Sequence, residues 1–155
     1  MRQVVLKGNY PYDVSKSASD LIVQSYVKTY NLKAGIIRSG NIYGPGDLNM
    51  DRLVPHVIIS SILKKRSVLR SNGKLIRDYI YVDDVARITM EVGISQKGDQ
   101  EIFNICSSQS ISILELAKKI CAEFDKLNNT SNSKKYIIYT PVLENEQHER
   151  GQEPI

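Results

Sequence analysis

No stretch of this sequence runs for the ~20 consecutive apolar residues that a membrane-crossing helix requires. Its opening, MRQVVLKGN, also lacks the long apolar segment and small-residue cleavage site of a secretory leader. Neither membrane insertion nor export is expected, and the chain reads as cytoplasmic. Cysteine is scarce: Cys106 and Cys121 have no second metal-type ligand near them, so buried, inert thiols in a reducing compartment are expected. His56 and His148 are far apart and form no zinc-ligand pattern, so no metal is expected. Concentrated basic charge is missing too. The net charge is +4, with 17 acids scattered among the Lys and Arg, and a nucleic-acid partner would need a basic face. Some of that positive charge is available for a phosphorylated small molecule. A strand followed by a glycine-rich phosphate turn is also absent. The one Gly-rich stretch, GNIYGPGD, contains Pro45 and does not open a helix in the GxGxxG manner.

What is present has the balance of a single globular domain: 155 residues, 41% hydrophobic and 25% charged. Val14, Ala18, Leu21, Ile22 and Tyr26 recur at helical spacing and predict a helix from Asp13 to about Tyr30. A short strand is expected over Ala34 to Ile37, running into a Gly/Pro/Asn loop. A second helix is expected from about Asp51 to Arg66, with Pro55 tolerable only in its first turn. SVLRSNGK suggests a brief strand and a turn at Asn72-Gly73, and RDYIYVDD a strand whose acids start a helix over Asp84 to Ile94. EIFNICS reads as a strand. In the following helix, Ser112 and Glu115 have capping-box spacing, and Leu116, Ala117, Ile120, Cys121 and Phe124 form the buried stripe. A loop over Asn128 to Ser133 and a last strand, KKYIIYT, complete the pattern. Strands alternating with helices indicate an α/β fold.

The residues with the most chemistry stand at the start of the first helix. Tyr12 and Lys16 are four apart and share a helix face if helical geometry begins by Tyr12. An ammonium beside a phenol favours the phenolate, which makes a general base for an alcohol proton. Taken alone, the tetrad also fits an ordinary surface pair.

Three ordered segments, YPYDVSKSASDLI, IIRSGNIYGPGD and IRDYIYVDDVA, resemble the extended short-chain dehydrogenase/reductase family of NAD-dependent nucleotide-sugar epimerases and dehydratases. Within it, the wording is most similar to CDP-glucose 4,6-dehydratases. The resemblance implies the C-terminal part of a Rossmann-like parallel sheet, with the small substrate-binding subdomain. It also implies a redox cycle in which NAD takes hydride from sugar C4 and returns it to C6 after water leaves across C5 and C6. Tyr12 would be the base at the C4 hydroxyl, and Lys16 would hold the nicotinamide ribose and stabilise the phenolate, so both would be catalytic and cofactor-binding. Arg77 matches an arginine that pairs with the substrate diphosphate. Asn41 and Asn104 match asparagines near the sugar nucleotide, although each fits equally a turn or strand-end structural role. Arg52 and Arg70 fall where the pocket is often lined, or are solvated surface charge. Asp78, Asp83 and Asp84 read as turn and helix-start residues, and Tyr43, Tyr79 and Tyr81 as core or pocket wall.

Family members carry a cofactor-binding half ahead of the Tyr/Lys helix, and only eleven residues precede Tyr12 here. The expectation is therefore a fragment lacking the N-terminal cofactor-binding half. Residues 1–140 would be the C-terminal half of the domain and 141–155 a truncated tail. Nothing in the sequence holds the NAD pyrophosphate, so turnover by the chain alone is not expected. The partners implied are a nucleotide-sugar such as CDP-glucose, the missing N-terminal half, or a second copy through the 13–30 helix.

Overall fold

The structure, a computed structural model, describes residues 10–69, 71–131 and 133–139. Helix α1 spans Pro11–Tyr30, two residues earlier than the apolar spacing predicts. Pro11 suits a first-turn position because its missing N–H would have no partner there, and Asp13 meets the positive end of the helix. The helix stops at Asn31, which adopts the left-handed conformation (φ 51°) while its N–H donates to the Val27 carbonyl. Strand β1 follows at Ile36–Ser39 and β2 at Asn41–Tyr43. The sequence pattern anticipates only one strand here, followed by a loop. Gly40 is the joint between the two, and its N–H donates to Ile105 O at 3.0 Å. A Cβ on it would stand only 3.2 Å from the Asp78 carbonyl oxygen.

Helix α2 is Leu53–Ile62, shorter at both ends than expected, with Pro55 in the first turn as required. Next come β3, Ser67–Leu69, and β4, Ile76–Tyr81, with Gly73 (φ 74°) turning the chain between them. Helix α3 is Val82–Ile94, with Asp83 and Asp84 in its first turn. A short 3-10 turn at Gln96–Gly98 leads to β5, Ile102–Ile105, and to β6, Ser110–Ser112, which periodicity does not reveal. Helix α4, Ile113–Leu127, opens on the complete Ser112/Glu115 capping box. After the expected loop, a 3-10 turn at Ser133–Tyr136 takes the first residues of the predicted strand KKYIIYT, of which Ile137–Tyr139 form β7; Thr140 lies outside the described residues.

Among the described residues three small sheets result. Strands β1 and β5 run parallel, with Arg38 opposite Asn104. Strand β2 is parallel to β4, which is antiparallel to β6. Strands β3 and β7 are parallel. The helix-connected parallel pairs are those of an α/β fold. The core lies under α2 and α4, where Val57, Leu69, Ala117 and Cys121 are buried and Leu53, Ile113, Leu114, Ile120 and Ile137 pack around them. Of the predicted α4 stripe, Ala117, Ile120 and Cys121 belong to this core, and Leu116 and Phe124 are half-buried.

The α1 stripe does not behave in the same way. Only Val27 is buried in that helix, and Val14, Leu21, Ile22 and Tyr26 stay exposed. Among the described residues β1 pairs with β5 alone, so one edge of that strand and one face of α1 have no partner. The two thiols divide as well: Cys121 is buried as expected, but Cys106 is exposed because it follows the end of β5. No helix of the described residues is long and apolar enough to cross a membrane.

Candidate functional site

Helical geometry beginning at Pro11 puts Tyr12 and Lys16 on one face. The Lys16 Nζ lies 5.4 Å from the centroid of the Tyr12 ring, within cation–π range. The Tyr12 side chain is 70% exposed, which leaves it open to a ligand. Asp20 and Gln24 continue the same i, i+4 series down the helix. Gln24 Nε2 donates to Asp20 Oδ1 at 2.5 Å. Arg38, on β1, donates to Asp20 through Nε (2.6 Å to Oδ2) and Nη2 (3.0 Å to Oδ1). The Arg38 guanidinium holds the Asp20 carboxyl below its ordinary range, and the carboxylate in turn raises Arg38. Sequence reasoning missed this pair, although the four-residue spacing Tyr12, Lys16, Asp20, Gln24 was readable.

Asn41, at the start of β2, donates from Nδ2 to the Asp78 carbonyl at 3.2 Å. Asp78 is not a turn residue. It sits inside β4, where its carboxylate accepts from Ser107 Oγ (3.1 Å) and Ser110 Oγ (3.5 Å). The strand expected over RDYIYVDD is found with Asp78 inside it, and strand pairing gathers its partners from segments distant in sequence. Arg77, its neighbour on β4, is half-buried. Burial pushes the Tyr79 phenol up, and the Arg77 charge partly offsets this. Tyr43 and Tyr81 face one another with ring centroids 5.6 Å apart.

Asn104 lies exposed on β5 opposite Arg38, so one strand pair connects it to the arginine that ties down α1. Arg52 is the N-cap residue of α2, exposed, and paired with Asp47 at 3.4 Å. Arg70 lies outside the described residues. The structure thus brings Asn41 and the Arg77 strand together, and links the Tyr12/Lys16 helix to the Asn104 strand through Arg38. Arg52 stands apart, at the end of α2 where a cavity of about 150 Å³ is lined by Asp51, Leu53, His56, Val68, Leu69, Ser71 and Ile113. Tyr12, Lys16 and Arg77 do not line that cavity.

Residues 2–106 match the NAD dependent epimerase/dehydratase family, and the chain belongs to that family. Among curated proteins it is 34% identical over 117 residues to the dTDP-D-glucose 4,6-dehydratase of Dictyostelium discoideum, covering 75% of this chain and 26% of that one. It is 33% identical over 117 residues to the dTDP-glucose 4,6-dehydratase of Escherichia coli, covering 76% of this chain and 32% of that one. A crystal structure of dTDP-glucose 4,6-dehydratase from Bacillus anthracis in complex with NAD superposes with a TM-score of 0.77 at 28% identity, over 93% of this chain and 44% of that chain. The chain thus spans about a quarter to a third of the length of these curated relatives. The family and the α/β fold expected from the three segments are both found. These relatives are named for dTDP-glucose rather than CDP-glucose.

Proposed function

We propose that this chain carries the substrate side and the Tyr/Lys pair of a nucleotide-sugar 4,6-dehydratase. The observation that carries this reading is the Lys16 ammonium lying over the Tyr12 ring at the exposed end of α1, in a chain whose relatives are sugar-nucleotide dehydratases. Tyr12 takes the proton of the sugar C4 hydroxyl, and the adjacent cation favours the phenolate that does so. Arg77 offers its planar fork to the diphosphate, and Asn41, held by the Asp78 carbonyl, aims its remaining polar atoms at the sugar. NAD supplies the hydride acceptor when bound. The residues present fit its ribose end through Lys16, whereas the sequence contains no GxGxxG turn for the pyrophosphate. Because the chain spans about a quarter to a third of its curated relatives, the second reading to be separated from this one is a sugar-nucleotide-binding module without turnover of its own.

Calorimetric titration of the chain with dTDP-glucose and with CDP-glucose tests the shared part of both readings, and the ratio of the two affinities decides the base. Saturable heat is expected with at least one of them, and none with either sinks the proposal. Reduction of added NAD in the presence of the bound sugar nucleotide favours the catalytic reading over the binding module.

The exposed apolar side chains of α1, Leu21, Ile22, Tyr26 and Tyr30 among them, form the face against which a second copy of the chain is proposed to pack. Sedimentation velocity is expected to show a concentration-dependent dimer that Leu21→Glu reduces to monomer. A monomer at all concentrations would leave that face to the rest of the family fold.

A further inference from the structure

Lys16 has three anionic or electron-rich neighbours within reach on its own helix: the Tyr12 ring and the Asp13 carboxylate one turn before it, Asp13 lying in the first turn at the positive end of the helix, and the Asp20 carboxylate one turn after it. In competition for an ammonium, a full carboxylate charge outweighs the quadrupole of an aromatic ring. Lys16 is nevertheless over the ring, at 5.4 Å from its centroid, and it makes no salt bridge among the described residues. The reason is legible in the hydrogen bonds of Asp20. Both of its oxygens are occupied, Oδ2 by Arg38 Nε at 2.6 Å and Oδ1 by Arg38 Nη2 at 3.0 Å and by Gln24 Nε2. The Asp20 side chain is 19% exposed, which leaves little room for a further donor.

We infer that Arg38 is a positioning residue: by saturating Asp20 it keeps that carboxylate from drawing Lys16 away and so leaves the ammonium on Tyr12. The inference deepens the site proposed above and rests on that reading for its catalytic meaning, but its charge geometry is independent of any ligand. The Asp20–Arg38 pair supplies the only hydrogen bonds from the residues of α1 to another element among the described residues, so a purely mechanical role as an anchor is the competing account. The two accounts predict different things. An anchor is lost equally when either partner is removed, whereas a charge-routing device fails only when Asp20 is left behind without Arg38.

The test uses the full chain without ligand. Lysine side-chain protons held over an aromatic face carry an upfield ring-current shift, which Tyr12→Leu should abolish and so assign to Lys16. Arg38→Gln is expected to remove the shift, because the freed carboxylate captures the ammonium. Asp20→Asn is expected to keep it, although the anchor is gone, and the double variant Asp20→Asn with Arg38→Gln is expected to restore it. Loss of the shift in Asp20→Asn, or its persistence in Arg38→Gln, overturns the inference. Should Arg38→Gln fail to fold, Arg38→Lys serves instead: its single point of charge leaves one Asp20 oxygen open, so a reduced shift is expected and an unchanged one counts against the idea. A positive outcome here together with no heat on titration with sugar nucleotide would retain the charge arrangement and discard the functional reading.

Discussion

Replacing Arg77 with alanine is expected to weaken binding of a nucleoside diphosphate glucose about ten- to a hundredfold, measured by calorimetry. A hydrogen bond to a charged group contributes about 1.5–3 kcal/mol, and each ~1.4 kcal/mol is a factor of about ten in affinity. Arg77 is suited to that contribution because it is half-buried on β4 and makes no ion pair among the described residues. Its charge is felt by the half-buried Tyr79 phenol beside it. Arg77→Lys keeps the charge but loses the two-pronged geometry, so an intermediate loss is expected. Arg52 provides the contrast. It is exposed and already paired with Asp47, and Arg52→Ala should change affinity far less. Equal losses at the two positions, or none at Arg77, would remove the diphosphate from the β4 strand.

The largest stability effect is expected from Leu69→Ala, at about 2–5 kcal/mol by urea denaturation. Leu69 is 2% exposed and belongs to one cluster with Val57, Ala117 and Cys121, all three fully buried. Its neighbours are carried on α2 and α4, whose backbones are fixed by their own hydrogen bonds, so they close only part of the space that the missing methyl groups leave. Leu127, at the far end of α4, is 80% exposed. Leu127→Ala is expected to stay within about 0.5 kcal/mol of the parent, since it removes little buried surface. Comparable midpoints for the two variants would mean that the α2/α4 cluster is not the cooperative core.

The contrast between α4 and α1 shows how far periodicity reaches. Both helices were legible from apolar spacing, and α4 was legible down to its Ser112/Glu115 cap, because a cap and a stripe are local properties of consecutive residues. Burial is not local. The same spacing that turns Cys121 and Ala117 into the core leaves Leu21 and Ile22 in α1 more than half exposed among the described residues. Strands β2 and β6 escaped notice for a related reason: at three residues each they are defined by pairing with β4, and a three-residue run has too little pattern to identify itself.

For the candidate site, chain order alone determined that a phenol and an ammonium one turn apart open a helix, and the wording of three segments determined the family. Which neighbour the ammonium chooses was decided only in three dimensions, where β1 delivers Arg38 to Asp20 from eighteen residues away. The partners of Asp78, Ser107 and Ser110 at 29 and 32 positions later, were likewise decided only there. Hydrogen bonds act only within about 3.5 Å, and attraction between exposed charges is screened beyond roughly 10 Å. Between distant segments such as α1 and β1 they therefore act only where folding brings the residues together, and no local spacing encodes those contacts.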